Sequence, residues 1–425
     1  MLHGLLLLGV MLVGQTETPA GEDLNVEVRR LVRQLDADSL DRRDAAEAEL
    51  LNRGTAVLDL LPTPNDRTSA EAKQRLGRVR QQLQQQAADA AAQSSAITLH
   101  AAAMPIQKAL AEFERQSGNK LVDHRKEFGQ PAADITVNMQ FDKTPFWRAL
   151  DQMLDQAKLT VYPFAEGPAI HVVTSPGEKY STRVAHAAYS GPFRFEPVGV
   201  VARRELREGK GSLRVLIETA WEPRLRIIAL SQRMADVKAT DEQGRPLPVA
   251  NRDAQPEIMT TGETPAVRFD LPFELPSRNV RRIVSLKSKL TAMIPGKIET
   301  FRFDKLAEAK DVEKRVAGVT VTLEQVRKNN DAWEVRMRVK FDDAGDALAS
   351  HRTWIFNNPA YLEGADGKPI AYESYETTRQ TDSEVGIAYV FAPDVPLDKL
   401  TFVYKTPGTI IHRSFEYEVK DIELP

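Results

Sequence analysis

Residues 139–161 read MQFDKTPFWRALDQMLDQAKLTV, and a close cousin stands forty residues earlier (139 − 99 = 40), LHAAAMPIQKALAEFERQSGNKLV at 99–122. Pro105, Ile106, Ala109, Leu110, Phe113 and Gln116 return as Pro145, Phe146, Ala149, Leu150, Met153 and Gln156. Proline suits the start of a helix, because its ring fixes φ and the missing N–H would have no partner there. Apolar residues at i, i+3, i+4 and i+7 then form one buried face. Strand-like ITL (97–99) and ITVNMQF (135–141) precede the two helices. KLV (120–122) and LTVYPF (159–164) follow them, and AIHVV (169–173) closes the set. The pattern predicts β-α-β twice with one extra strand, the helices packed on one face of a small sheet. The repeated phrase is architecture, not chemistry.

Three of these stretches, PIQKALAEFERQSGNKLV, ITVNMQFDKTPFWRALDQML and LTVYPFAEGPAIHVV, resemble the short N-terminal domain of secretins and TonB-dependent receptors. The resemblance covers residues 97–173, under a fifth of the chain, and sets a domain at 97–175. It implies a periplasmic α+β module without catalytic residues that docks envelope proteins, partly through sheet edges. Backbone edges near 135–141 or 169–173 are the places where a partner strand would add. Neither a receptor barrel nor a secretin channel domain follows, so those activities do not carry over.

The flanking sequence builds outward from this module. The chain of 425 residues is long enough for roughly two to four domains. Hydrophobic residues at 42% give each its own core, and a net charge of −3 directs the chain toward neither nucleic acid nor an anionic surface. With no cysteine, disulfides, thiolates and cysteine metal sites are excluded. LLLLGVMLV (5–13) is too short to span a bilayer and has the length of a signal-peptide core, with cleavage expected near Ala20. No Lys or Arg precedes it; the first is Arg29. The reading is an exported protein, periplasmic or extracellular, with a signal at 1–20 and no integral span in the mature chain. A helical segment at 24–92 follows. Val28, Leu31, Val32 and Leu35 lie at helix spacing, Ser39 is a cap candidate, Gly54 a stop, and Leu76, Val79 and Leu83 line a further helix. Residues 34–62 resemble a HEAT-type helical repeat, but a single pair of helices makes a cap rather than a solenoid.

Residues 190–304 and 316–425 read as two tandem β-sandwich units of immunoglobulin-like size. LRVLIETAW (213–221) and WEVRMRVKF (333–341) alternate as half-buried strands do. The turns Gly244-Arg245-Pro246 and Gly367-Lys368-Pro369 match, and Pro-Gly opens PGKIETFRFD (295–304) as it opens PGTIIHRSFEYEV (407–419). DKLAEAKDVEKRVAG (304–318) is expected as a polar connector. The whole is a multi-domain α+β chain.

Chemical signatures are scarce. The seven histidines lie fifteen or more residues apart, so no metal spacing appears, and no nucleophile elbow or phosphate loop occurs. REGKGS (207–212) reads as a hairpin turn. Asp342, Asp343 and Asp346 do not follow calcium-loop spacing. Arg278, Arg281, Arg282, Lys287 and Lys289 lack interleaved aromatics, so they read as charge guarding an edge strand. No catalytic, cofactor or metal residues are assigned. The best candidate for a ligand surface is SHRTWIFNNPAYLEG (350–364), with Trp354, Phe356, Asn357, Asn358 and Tyr361; aromatics beside amides suit a sugar platform or a protein hot spot. The expected function is non-enzymatic docking of envelope proteins. The alternative is an exported carbohydrate-binding or hydrolytic protein using the last unit.

Overall fold

The computed structural model describes residues 20–425 except 63, 65–66, 164, 166, 177–182, 261–263, 330, 343 and 350–351. The expected signal segment therefore lies outside the described residues. Strand outweighs helix, 45% to 25%, and the chain divides into two compact units, 1–86 and 87–425.

The first unit is helical. α1 (Ala20–Gln34), α2 (Leu40–Asn52) and α3 (Ala70–Ala91), whose last residues belong to the second unit, come with a 3-10 stretch at Gly54–Leu60. The expected stripe is buried at Val28, Leu31, Leu35, Leu76, Val79 and Leu83. Ser39 occupies the N-cap position, yet its side chain makes no capping hydrogen bond. Arg75 ties α3 to α2, 2.8 Å from Asp44 and 2.7 Å from Glu47.

The doubled phrase opens the second unit. It forms β1 (Ala96–Pro105), α4 (Ile106–Ser117), β2 (Leu121–Asp123), β3 (Thr136–Pro145), α5 (Phe146–Ala157), β4 (Leu159–Tyr162) and β5 (Ile170–Thr174). Both prolines sit at the N-cap, one residue before their helix. β1 and β3 pair antiparallel about a local two-fold: adding 40 to the β1 residue and subtracting 40 from the β3 residue turns Ala96↔Pro145 into Thr136↔Pro105 and Leu99↔Phe141 into Met139↔Ala101. The axis passes at His100↔Gln140. The bulges and helix starts obey it. Ala103 and Lys143 are the positive-φ residues of two matching bulges (+47° and +46°). Their N–H groups donate to the Asn138 and Thr98 side chains at 2.9 and 3.0 Å. The first helical N–H of each half, Ile106 and Phe146, donates to a carbonyl of the other half, Ile135 and Ser95.

The strands do not form the one small sheet expected. β1–β3 stand as a pair, and β2-β5-β4 form a second sheet, with β2 parallel and β4 antiparallel to β5. The reason lies in the repeated glutamines. Gln116 accepts from Thr98 N–H at 2.9 Å and donates to its carbonyl at 3.0 Å; Gln156 does the same to Asn138 at 2.5 and 3.3 Å. Each amide takes the place of a neighbouring strand. Gln116→Ala with Gln156→Ala should speed amide exchange at Thr98 and Asn138 at least tenfold. It should also cost about 1–2 kcal/mol, two modest hydrogen bonds per site partly offset by water. Unchanged exchange would show that the glutamines do not guard these edges.

Short α6 (Arg183–His186) leads to the first β body: β6 (Ala188–Ser190), β7 (Phe193–Arg204), β8 (Gly211–Trp221), β9 (Ala229–Gln232), β10 (Lys238–Asp241), β11 (Pro246–Leu247), β12 (Glu257–Met259), β13 (Ala266–Glu274) and β14 (Arg282–Pro295). The second body holds β15 (Ile298–Phe303), β16 (Lys310–Val316), β17 (Val319–Asn329), β18 (Ala332–Phe341), β19 (Ala360–Glu363), β20 (Pro369–Ala371), β21 (Ser374–Gln380), β22 (Glu384–Phe391) and β23 (Thr401–Pro407). β24 (Ile410–Glu423) then returns to the first body and pairs with β14 from Arg282↔Glu423 to Pro295↔Ile410. Each body closes one apolar core between two antiparallel sheets. The first packs β13-β8-β7-β6 against the sheet of β14 and its partners; the second packs β15-β23-β19-β20 against β16-β17-β18-β22-β21.

Three expectations change here. The boundaries 190–304 and 316–425 divide the strands differently from their hydrogen bonding, since β15 pairs with β23 in the second body and β24 belongs to the first. The second body is thus inserted into the first, and both Pro-Gly pairs mark its two legs. Gly296 N–H donates to Thr409 O and Gly408 N–H to Lys297 O, each at 2.8 Å. A Cβ at Gly296 would lie 2.3 Å from Thr409 Oγ1, so only glycine fits this crossing. The basic run at 277–289 does not form an edge: β14 has β24 on one side and β10 and β9 on the other. Finally, the connector at 304–318 contains the exposed edge strand β16, where pairing overrides helix propensity and charge blunts the free edge.

Candidate functional site

On the module, the segment after β2 folds over the outer face of the β2-β5-β4 sheet. His124 N–H donates to Val172 O at 2.9 Å, and Gln130 accepts from Thr174 N–H at 2.7 Å. Arg125, 2% exposed, fixes the turn through Asp123 (2.7 Å) and the Ala133 carbonyl (3.3 Å). This places four rings together. His124 Nε2 lies 3.3 Å from His171 Nδ1, their ring centroids 4.3 Å apart. Phe128 meets Tyr162 edge-on at 5.0 Å and His124 at 6.2 Å. His171 is buried, whereas Phe128 and Tyr162 are 48% and 37% exposed. Sequence reading treated the histidines as solitary. His124 and His171 are 47 residues apart, and only the pairing of β2 with β5 brings them together.

The edges expected to receive a partner strand fare differently. β5 (near 169–173) is interior, flanked by β2 and β4, and offers no free edge. β3 pairs only with β1 among the described strands, but Gln156 fills its outward backbone at Asn138.

Buried polar nodes join the module to the first β body, and the two bodies to each other. At the first, Arg194 on β7 is fully buried, 3.2 Å from both Asp151 and Glu218, with its guanidinium carbon 4.9 Å from the Trp147 ring centroid. Tyr189 donates to Asp151 at 2.8 Å, and Arg268 holds Glu218 at 2.8 Å. Burial pushes the Asp151 carboxyl pKa up while Arg194 and Arg183 pull against it, and burial with the adjacent Asp151 raises the Tyr189 hydroxyl. The second node is Glu222, fully buried. It accepts from Ser95 N–H (2.9 Å) and Oγ (2.6 Å), Ser94 Oγ (3.2 Å), Asn119 Nδ2 (2.9 Å) and Arg224 Nε (2.7 Å). Between the two β bodies, Arg352 bonds Glu257 at 2.7 Å and Asp346 at 3.0 Å beside Met293, Ala347 and Trp354.

The residues expected to form a ligand surface scatter. Trp354 donates its indole N–H to Ala347 O at 2.6 Å and packs against Phe341 at the junction. Asn358 bonds Tyr404 Oη and Thr406 Oγ1 at 3.1 and 2.9 Å, a structural role. Asn357 is exposed, and Tyr361 lies under Lys405 Nζ at 5.6 Å. Phe356 alone shares an exposed aromatic surface, stacked on Tyr375 at 5.7 Å. Asp342 and Asp346 face Arg315 and Arg352, and Asp343 lies outside the described residues. Among the described residues no three His, Asp or Glu side chains group as metal ligands. A cavity of about 170 Å³ lies at the end of the first body, below the several hundred Å³ usual for small-molecule sites. No family model matches the chain, and neither a curated protein nor a solved structure does.

Proposed function

We propose that this is an exported, non-enzymatic envelope protein that docks a protein partner through its α+β module. The observation that carries the reading is the cluster of His124, Phe128, Tyr162 and His171: half-exposed Phe128 and Tyr162 rings beside a buried His171, with Phe128 on a turn held by a buried arginine. Rigid aromatic anchors of this kind carry most of the energy at protein interfaces. The internal two-fold and the βαβ doubling agree with the resemblance to the secretin and TonB-receptor short domain. The two inner-face cores agree with an immunoglobulin-like sandwich reading of each β body. The buried nodes would hold the module rigidly on the first body, as a spacer-mounted docking head requires.

Crosslinking pull-down from envelope extracts tests this, using the parent chain and Phe128→Ala with Tyr162→Ala. A specific partner should be captured by the parent and fall at least tenfold with the double variant, since losing an aromatic anchor costs about 2 kcal/mol or more. An identical partner set for both overturns the docking face. The carbohydrate reading would rest on Phe356, Tyr361 and Tyr375, because Trp354 is engaged in packing. Glycan binding lost with Phe356→Ala, the fold intact, would favour it.

A further inference from the structure

The hairpin of β7 and β8 projects beyond the core of the first body. Its tip, residues 201–211, is exposed apart from half-buried Glu205, with Val201 at 60% and Leu206, in the turn, at 89%. Leu206 is the most exposed large apolar residue among the described ones. The turn is not slack: Glu205 N–H donates to Lys210 O at 2.8 Å, Gly209 N–H to Glu205 O at 2.9 Å, and Gly209 takes φ +69°. Arginines crowd the same end. Arg203 and Arg204 from the hairpin and Arg278 from the turn between β13 and β14 line one cavity with Leu213, Leu275 and Val280, and Arg207 is in the turn itself. Arg281 and Arg282 follow directly in sequence.

Some of this charge is neutralised. Arg203 meets Glu205 at 3.2 Å, Lys210 meets Glu208 at 3.1 Å and Arg282 meets Asp421 at 3.3 Å; Glu242 accepts the backbone N–H groups of Arg281 and Arg282. The guanidinium groups of Arg204, Arg207, Arg278 and Arg281 form no ion pair with a described residue, and all four are exposed. An isolated exposed leucine needs no explanation. A leucine on the apex of a fixed convex turn, with unpaired arginines set behind it, has the layering of an interface between hydrocarbon and phosphate.

We propose that this end of the first body docks on an anionic phospholipid surface. Leu206 and Val201 would enter the boundary between headgroups and acyl chains, and Arg204, Arg207, Arg278 and Arg281 would meet the phosphates. A convex apex fits a deformable lipid surface better than an acidic protein, which would have to supply a matching concavity. The basic stretch at 277–289, whose edge-guarding role disappears because β14 is interior, gains a function here.

Flotation with vesicles tests the proposal, using phosphatidylcholine alone and phosphatidylcholine with phosphatidylglycerol. The full chain and its variants share everything outside the apex, including the apolar N-terminal run, so differences between them report the apex alone. The parent should float with the anionic vesicles and lose binding as salt rises toward 1 M, where screening shortens to about 3 Å. Arg204→Gln with Arg207→Gln should weaken partition about 30-fold, on the scale of ~1 kcal/mol per basic residue near an anionic surface. Leu206→Asp should weaken it at least as much. Thermal melting unchanged from the parent would show that the variants fold. Equal binding to neutral vesicles, or variants that float as well as the parent, overturns the proposal. Capture of poly-glutamate without vesicle binding also overturns it and assigns the surface to an acidic protein.

Discussion

Arg194→Ala should destabilise the joint between module and first β body by about 3–5 kcal/mol, the usual cost of stripping one partner from a buried ion pair. The geometry explains the size. Asp151 and Glu218 would remain at 0% and 3% exposure with their shared cation gone, although Arg268 still holds Glu218 from the rim. The Trp147 ring would also lose the guanidinium above it. Denaturant unfolding followed by tryptophan fluorescence, with amide exchange in α5, measures the loss. Arg194→Met combined with Asp151→Leu and Glu218→Gln should regain most of it, because an apolar replacement of a buried pair is often neutral or better. A single alanine variant within about 1 kcal/mol of the parent would show that the node is solvated in solution and not the clamp described above.

The second large effect is expected from Glu222→Ala. Its carboxylate gathers five donors from three chain segments, the 94–95 connector, Asn119 after α4 and Arg224 after β8. Removing it strands the Arg224 charge and several buried donors, a loss again of about 3–5 kcal/mol. Glu222→Gln keeps the shape but not the charge and should cost roughly half. The distinguishing readout is proteolysis: cleavage between 92 and 96 should appear in the alanine variant at protease levels that leave the parent whole. Resistance equal to the parent's would mean that packing around Ala92 and Phe193, not the carboxylate, fixes the joint.

Periodicity carried the sequence reading where structure is local. The helix faces at Ile106–Phe113 and Phe146–Met153, the turns at Gly244 and Gly367 and the alternation of β18 follow from short-range spacing and are present; β8 alternates only up to Ile217 and is buried on both faces from there to Trp221. Even the glutamines were visible as repeated letters, but their hydrogen bonds to Thr98 and Asn138 were not, because nothing in spacing tells an exposed polar residue from a strand surrogate. Long-range pairing was the blind spot. β24 alternates from Phe415 to Lys420, yet its partner lies more than 100 residues away (410 − 295 = 115) across an intervening body. The aromatic segment at 350–364 is a related case: Trp354 fills a joint between bodies, and composition cannot separate a joint from a ligand platform. Arg194, Glu222 and Arg352 look like surface charges in the sequence and become legible only once their partners are placed.

The inserted topology also dictates an order of assembly. β14 must wait for β24, separated from it by residues 296–409, a stretch of 114 (409 − 296 + 1). Closing a flexible loop of that length costs about 4 kcal/mol of chain entropy. If the inserted body folds first, β15 and β23 bring its two legs side by side and the loop is already closed. A ribosome delivering the chain from its N-terminus would therefore release a first body with a bare β14 edge until β24 emerges. Whatever protects that edge in the interval decides whether the chain matures or aggregates.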